Sequence, residues 1–193
     1  MPYKDSLSRK EILKNLQVRQ KLQAVYLFLE DLTADEQVRN VGYEVHILPK
    51  SGDSFFRAIS LQLPKIARPQ MTVNEIRELI RSTVQHGFQP TKDIPDIDMN
   101  DFMIFVSQEY SFNSLWVPAI LELLAEHKIY VAVYKDYACP ERYYEDHFHD
   151  VDKTIMIIED KGSETYHSTK KSNGCSKYSN VLDYLYSYKQ SYK

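Results

Sequence analysis

The residues best suited to chemistry lie in the segment Ser51-Gly52-Asp53-Ser54-Phe55-Phe56-Arg57-Ala58-Ile59-Ser60. A strand-like run over residues 43–48 feeds a turn, Pro49-Lys50-Ser51-Gly52-Asp53, and the turn delivers residue 54 to the start of a helix. A helix N-terminus presents unpaired N–H groups and the positive end of the helix dipole. Both favour an anion there, whether an ionised nucleophile or an oxyanion. The same residue types have a plainer use, because Asp and Ser commonly cap helix N-termini. This segment alone leaves both readings open.

A second group, Cys139, His147, His149 and Cys175, holds metal-ligating side chains, but its spacing fits no standard zinc pattern, so no metal and no cofactor is expected. With only two cysteines, a disulfide scaffold is not expected, and a reducing compartment is the simpler setting. The start of the chain is polar and lacks the apolar core of a signal peptide, and no apolar run is long enough to span a bilayer. The expectation is a cytoplasmic or nuclear protein without membrane contact. A formal net charge of −3 and the lack of any long Lys/Arg block argue against a nucleic-acid partner. The 15 tyrosines suit a protein-binding face and suit core packing equally well.

The elements that must position residue 54 are legible from periodicity. Ser8-Arg9-Lys10-Glu11 forms a capping-box pattern ahead of an amphipathic helix over residues 8–32, with Val18, Leu22, Val25, Leu29 and Leu32 on one stripe. A helix is expected from Phe55 to Leu63, ended by the Pro64 to Pro69 stretch. Thr72-Val73-Asn74-Glu75 is another capping box, opening a helix with Ile76, Leu79, Ile80 and Val84 inward and Gly87 as its left-handed stop. Phe102, Phe105 and Val106 predict a short helix, and Ser114 is the expected cap of another, with Pro118 in its first turn. Residues 129–134 and 154–158 read as strands, 137–152 as a loop or edge, and 160–164 as a turn leading to Thr165-Tyr166-His167. A last helix is expected over 181–188. Helices early and strands late predict an α+β class, with a helical extension at 1–40 packed on one domain at 41–193.

The segment around residue 54 resembles the nucleophile motif of the OTU (ovarian-tumour) family of papain-like deubiquitinating cysteine proteases. That motif reads Asp-Gly-Asn/Asp-Cys, then an aromatic or Leu, Phe, Arg/His and a small residue. Gly52, Asp53, Phe55, Phe56, Arg57, Ala58, Ile59 and Ser60 fit it; Ser54 stands in the cysteine position and Ser51 in that of the leading Asp. Downstream, Trp116 with Leu121, Leu124 and Ala125, then Ile129 to Val133, and finally Ile155 to Ile158 and Tyr166-His167 are similar to the family's later blocks. The resemblance covers roughly residues 43–169. It implies an OTU-like fold, a small and mainly antiparallel sheet flanked by helices, and ubiquitin or a ubiquitin-like protein as partner.

The resemblance also assigns roles. Ser54 takes the nucleophile position, His167 the general base, Thr169 the orienting residue, and the Gly52 and Asp53 amides the oxyanion hole. Trp116 would help shape the substrate channel. Serine at 54 implies little isopeptide hydrolysis, since a papain-like pair depends on forming a thiolate and a hydroxyl is far less acidic. The chain then reads as a deubiquitinase inactivated at one position or as a pseudoenzyme that binds ubiquitin without cleaving it. A rival reading takes Gly52-Asp53-Ser54 as the first block of a GDSL-type serine esterase, with Ser54 as nucleophile and His149 as base. That reading needs a parallel sheet of repeated βα units.

Overall fold

The computed structural model describes residues 32–88, 99–107, 114–138, 140–142, 151–160 and 165–173. The helices expected at 8–32 and 181–188 lie outside this set, apart from Leu32. At its centre is a five-stranded sheet in the order β1-β5-β4-β2-β3, formed by β1 (Tyr43–His46), β2 (Val131–Tyr134), β3 (Glu141–Arg142), β4 (Ile155–Asp160) and β5 (Thr165–Lys171). Three of the four pairings are antiparallel and only β2 with β4 is parallel.

β2 and the first four residues of β4, Ile155 to Ile158, are apolar because both faces of the sheet are covered there. Successive side chains point to opposite faces, so Val131, Val133, Ile155 and Ile157 enter one core while Ala132, Tyr134, Met156 and Ile158 enter the other. Burial of the Tyr134 ring in this second core pushes its phenol well above the usual range. The second core is closed by α1 (Ala34–Asn40), through Ala34 and Val38. This helix was not foreseen, although it carries a full capping box. The Thr33 hydroxyl accepts from the Glu36 amide at 3.2 Å and the Glu36 carboxylate from the Thr33 amide at 2.8 Å. The short helix thus lies in the stretch read as an extension and packs directly on the sheet.

The first core is filled by α2 (Ser54–Gln62), whose Phe55, Phe56, Ala58 and Ile59 are fully buried. The α-helix ends at Gln62, one residue before the expected Leu63, and Pro64 opens the break as the sequence implies. It sits in the first turn of a 3-10 segment, Leu63–Ile66, where its missing N–H costs no bond, and Ala67 ends that turn with φ 58°. The Thr72/Glu75 capping box opens α3 (Val73–Gln85) as the sequence implies, and Gly87 follows its C-cap with φ 95°. α4 (Met99–Ser107) and α5 (Val117–Glu126) complete the layer. Ser114 is not the cap of α5: it begins a 3-10 turn, Ser114–Trp116, and Trp116 holds the cap position.

Candidate active site

The turn between β1 and α2 presents Ser54 as the first helical residue. The Ser54 amide donates to the Ser51 carbonyl at 3.2 Å, and the Arg57 amide donates to the Asp53 carbonyl at 2.9 Å. Asp53 holds the N-cap position, but its side chain makes no capping bond. Its carboxylate is drawn instead to the Arg77 guanidinium of α3, which also lies 5.0 Å from the centre of the Phe56 ring. The capping role expected of Asp53 is therefore replaced by a tie from the turn to the neighbouring helix. The amides of Gly52 and Asp53 meet no acceptor among the described residues, and the Ser51 hydroxyl is buried without one. Those two amides remain available as anion donors.

Ser54 itself is fully buried, and its hydroxyl oxygen accepts the backbone N–H of Tyr166 at 3.0 Å. This places the start of β5 directly against the candidate nucleophile position. The side chains that follow are set by the alternation of a strand. Tyr166 faces α2 and meets the Phe55 ring edge-on, with centroids 5.1 Å apart. His167 therefore points to the opposite face, beside its cross-strand partner Ile158.

The imidazole of His167 is occupied on both sides. Its Nδ1 accepts the Leu48 amide at 3.1 Å, and its Nε2 faces the Asp160 carboxylate at 3.7 Å. An Nδ1 that accepts a hydrogen bond carries no proton, so the neutral ring is protonated on Nε2, towards Asp160. In this geometry the His167 Nδ1 holds the Leu48 backbone amide and makes no hydrogen bond to Ser54. Thr169 does not orient the ring either. Its hydroxyl is directed to the Met156 carbonyl at 3.0 Å and to Gln62 Oε1 at 3.2 Å. Asp160 faces the imidazole instead, two residues from Ile158 and on the same face of β4.

Sequence reasoning missed Asp160, Arg77 and Gln62. Asp160 had been assigned to a turn, and only the β4–β5 register brings it to His167. Gln62, fully inside, joins α2 to both strands. Its amide donates to the Met156 carbonyl at 2.7 Å and to Ser168 Oγ at 2.9 Å, and its oxygen accepts the Met156 amide at 3.0 Å. The carboxamide thus acts as a short stretch of backbone between β4 and β5, beyond the last strand pair at Ile158 and His167.

Trp116, expected at the substrate channel, packs on Phe105 at 4.4 Å and Phe102 at 5.9 Å between ring centres, against the first core. Cys139, His147, His149 and Cys175 lie outside the described residues. The esterase reading loses its scaffold, because a sheet with one parallel pairing in four is not built of repeated βα units.

In sequence, the chain matches no family profile and no curated protein. In structure it is similar to several OTU domains. One is an OTU deubiquitinase from Wolbachia pipientis wMel, solved bound to ubiquitin: 16% identity, 68% of this chain and 98% of that one, TM-score 0.51. Another is the OTU domain of OTUD1, at 14% identity, 77% of this chain, 99% of that one and TM-score 0.53. A third is the viral OTU domain protease of Taggert virus, at 16% identity, 72% and 84% coverage and TM-score 0.51. The chain has the fold of the OTU domains, as the resemblance implied.

Proposed function

We propose that this chain is an OTU-fold domain that engages ubiquitin or a ubiquitin-like protein and does not hydrolyse its conjugates. The observation that carries the reading is the state of Ser54: a buried hydroxyl, accepting from the Tyr166 amide, with no imidazole bonded to it. A serine hydroxyl needs a base to become a nucleophile. The His167 Nδ1 accepts from the Leu48 amide, and its Nε2 faces the Asp160 carboxylate rather than Ser54. The fold shared with a deubiquitinase solved with ubiquitin bound supports the choice of partner.

The test pairs binding with cleavage. Isothermal titration with ubiquitin and with ubiquitin-like proteins is expected to show saturable binding to at least one of them, by the given chain and by Ser54→Cys alike. A panel of di-ubiquitins is expected to survive both proteins. Cleavage by the given chain would overturn the reading. Cleavage by Ser54→Cys alone would make the chain a deubiquitinase silenced at one atom, an outcome that the unoccupied Gly52 and Asp53 amides would serve.

A further inference from the structure

Among the described residues β1 lies at one edge of the sheet, and its hydrogen bonds define which backbone groups face outward. The Ser172 amide donates to the Gly42 carbonyl at 3.0 Å, one step beyond the pairing of Tyr43 with Lys171. In an antiparallel ladder, alternate residues turn both N–H and C=O to the partner strand, and the residues between turn both away. Gly42, Glu44 and His46 therefore face β5. The Leu48 amide keeps that parity, donating to His167 of β5. Val45 and Ile47 aim their N–H and C=O groups at the edge, where no hydrogen bond from the described residues reaches them. Natural edge strands are commonly blocked by lysine or proline. The run from Tyr43 to Ile47 contains neither. Tyr43 and Val45 belong to the second core, and Ile47 extends their row by alternation with its side chain 75% exposed.

We infer that β1 joins two copies of this chain, paired antiparallel to itself about a two-fold axis at Val45. The strand is complementary to itself in that register. Val45 meets Val45 of the second copy, and the two exchange their outward hydrogen bonds. Ile47 falls beside Tyr43 of the second copy, so the apolar row continues across the axis. Glu44 falls opposite His46 of the second copy, whose ring N–H the carboxylate can accept, and the symmetry makes this contact twice. Glu44 already faces Lys170 at 3.0 Å in an exposed pair, and its carboxylate has lone pairs for a second donor. Moving the axis by one residue would set Glu44 against Glu44 or His46 against His46, so the charges select Val45. The contact is short, which makes the association weak and dependent on concentration.

The experiment is sedimentation equilibrium of the full chain from micromolar to millimolar concentration, repeated with variants. The parent is expected to pass reversibly from monomer to dimer. Val45→Pro removes an N–H that points away from β5, so the β1–β5 ladder survives, and association is expected to weaken about tenfold or more. Glu44→Lys and His46→Glu each remove the attraction across the axis, and each is expected to weaken association about tenfold, since the pair occurs twice. Both changes made in one chain restore opposite charges across the axis and are expected to recover association to within about threefold of the parent. Both side chains reach solvent, so these variants test the register even if Val45→Pro fails to fold, and urea melts show which variants keep the fold. A parent that stays monomeric throughout would overturn the inference and leave the edge to a strand of another protein. A dimer indifferent to a folded Val45→Pro, or charge changes that do not compensate each other, would overturn it as well.

Discussion

The Tyr166 amide donates to the hydroxyl oxygen of Ser54 at 3.0 Å, inside a core from which water is excluded. This bond joins the first residue of α2 to the second residue of β5, and it uses Ser54 as a structural acceptor. Ser54→Ala is therefore expected to leave a buried N–H unsatisfied and to cost about 1–3 kcal/mol. Urea denaturation measures this directly. A Ser54→Ala protein as stable as the parent would show that the hydroxyl contributes nothing to the packing of β5.

What was legible beforehand follows from how far each signal depends on neighbours in space. The Thr72/Glu75 capping box and the stop at Gly87 are local chemistry, and both stand where the sequence puts them. The apolar runs of β2 and β4 are equally local, although only the fold shows that their alternate residues serve two cores. The Thr33/Glu36 box carried the same signal and was passed over. His167 is a different case. Thr165-Tyr166-His167-Ser168-Thr169 has no alternation of apolar and polar residues, so the strand's parity cannot be read from it. The pairing of Tyr166 with Glu159 decides that parity and turns the imidazole away from α2. Gln62 was invisible for a related reason: its partners on β4 and β5 lie 94 to 107 residues away.

Arg77 is nearly buried and holds Asp53, so removing one partner alone strands the other. Arg77→Ala should cost about 3 kcal/mol, through the lost pair and the lost contact with Phe56. Asp53→Asn keeps a hydrogen-bond acceptor and should cost less. A double-mutant cycle followed by denaturation reads the coupling, and additive effects would mean that the two side chains do not stabilise each other.

Gln62→Leu keeps the volume of the side chain and removes every polar partner. It takes the acceptor from the Met156 N–H and one partner each from the Met156 carbonyl and the Ser168 and Thr169 hydroxyls, which keep their bonds to one another and to the Ala58 carbonyl. Cumulative desolvation of this kind should cost about 2–4 kcal/mol. Hydrogen exchange should then rise at Met156 and along the neighbouring half of β5 before it rises elsewhere. Uniform loss of protection would instead mark Gln62 as an ordinary core residue with no special hold on those strands.

The pH dependence of stability has an identifiable source at Asp152. The Tyr43 hydroxyl donates to its carboxylate at 2.5 Å, and this bond is the main reason the carboxyl is held below its ordinary range. Burial opposes the shift, and Lys171 and Lys65 add to it. A carboxyl whose folded-state value is depressed favours the fold only while it is ionised. Its contribution is complete above the unfolded value of about 4 and disappears as the pH falls through the folded one. The carboxylate is 60% exposed, so solvent screening keeps the contribution under about 1 kcal/mol. Tyr43→Phe retains the ring that lies under Lys65 and removes only the hydroxyl. Its stability deficit should be present at neutral pH and should shrink as the pH falls below the unfolded value of about 4 and through the depressed folded one. Paired urea melts across that range check the point, and a deficit that persists undiminished in acid would assign it to packing around Tyr43 rather than to the carboxylate.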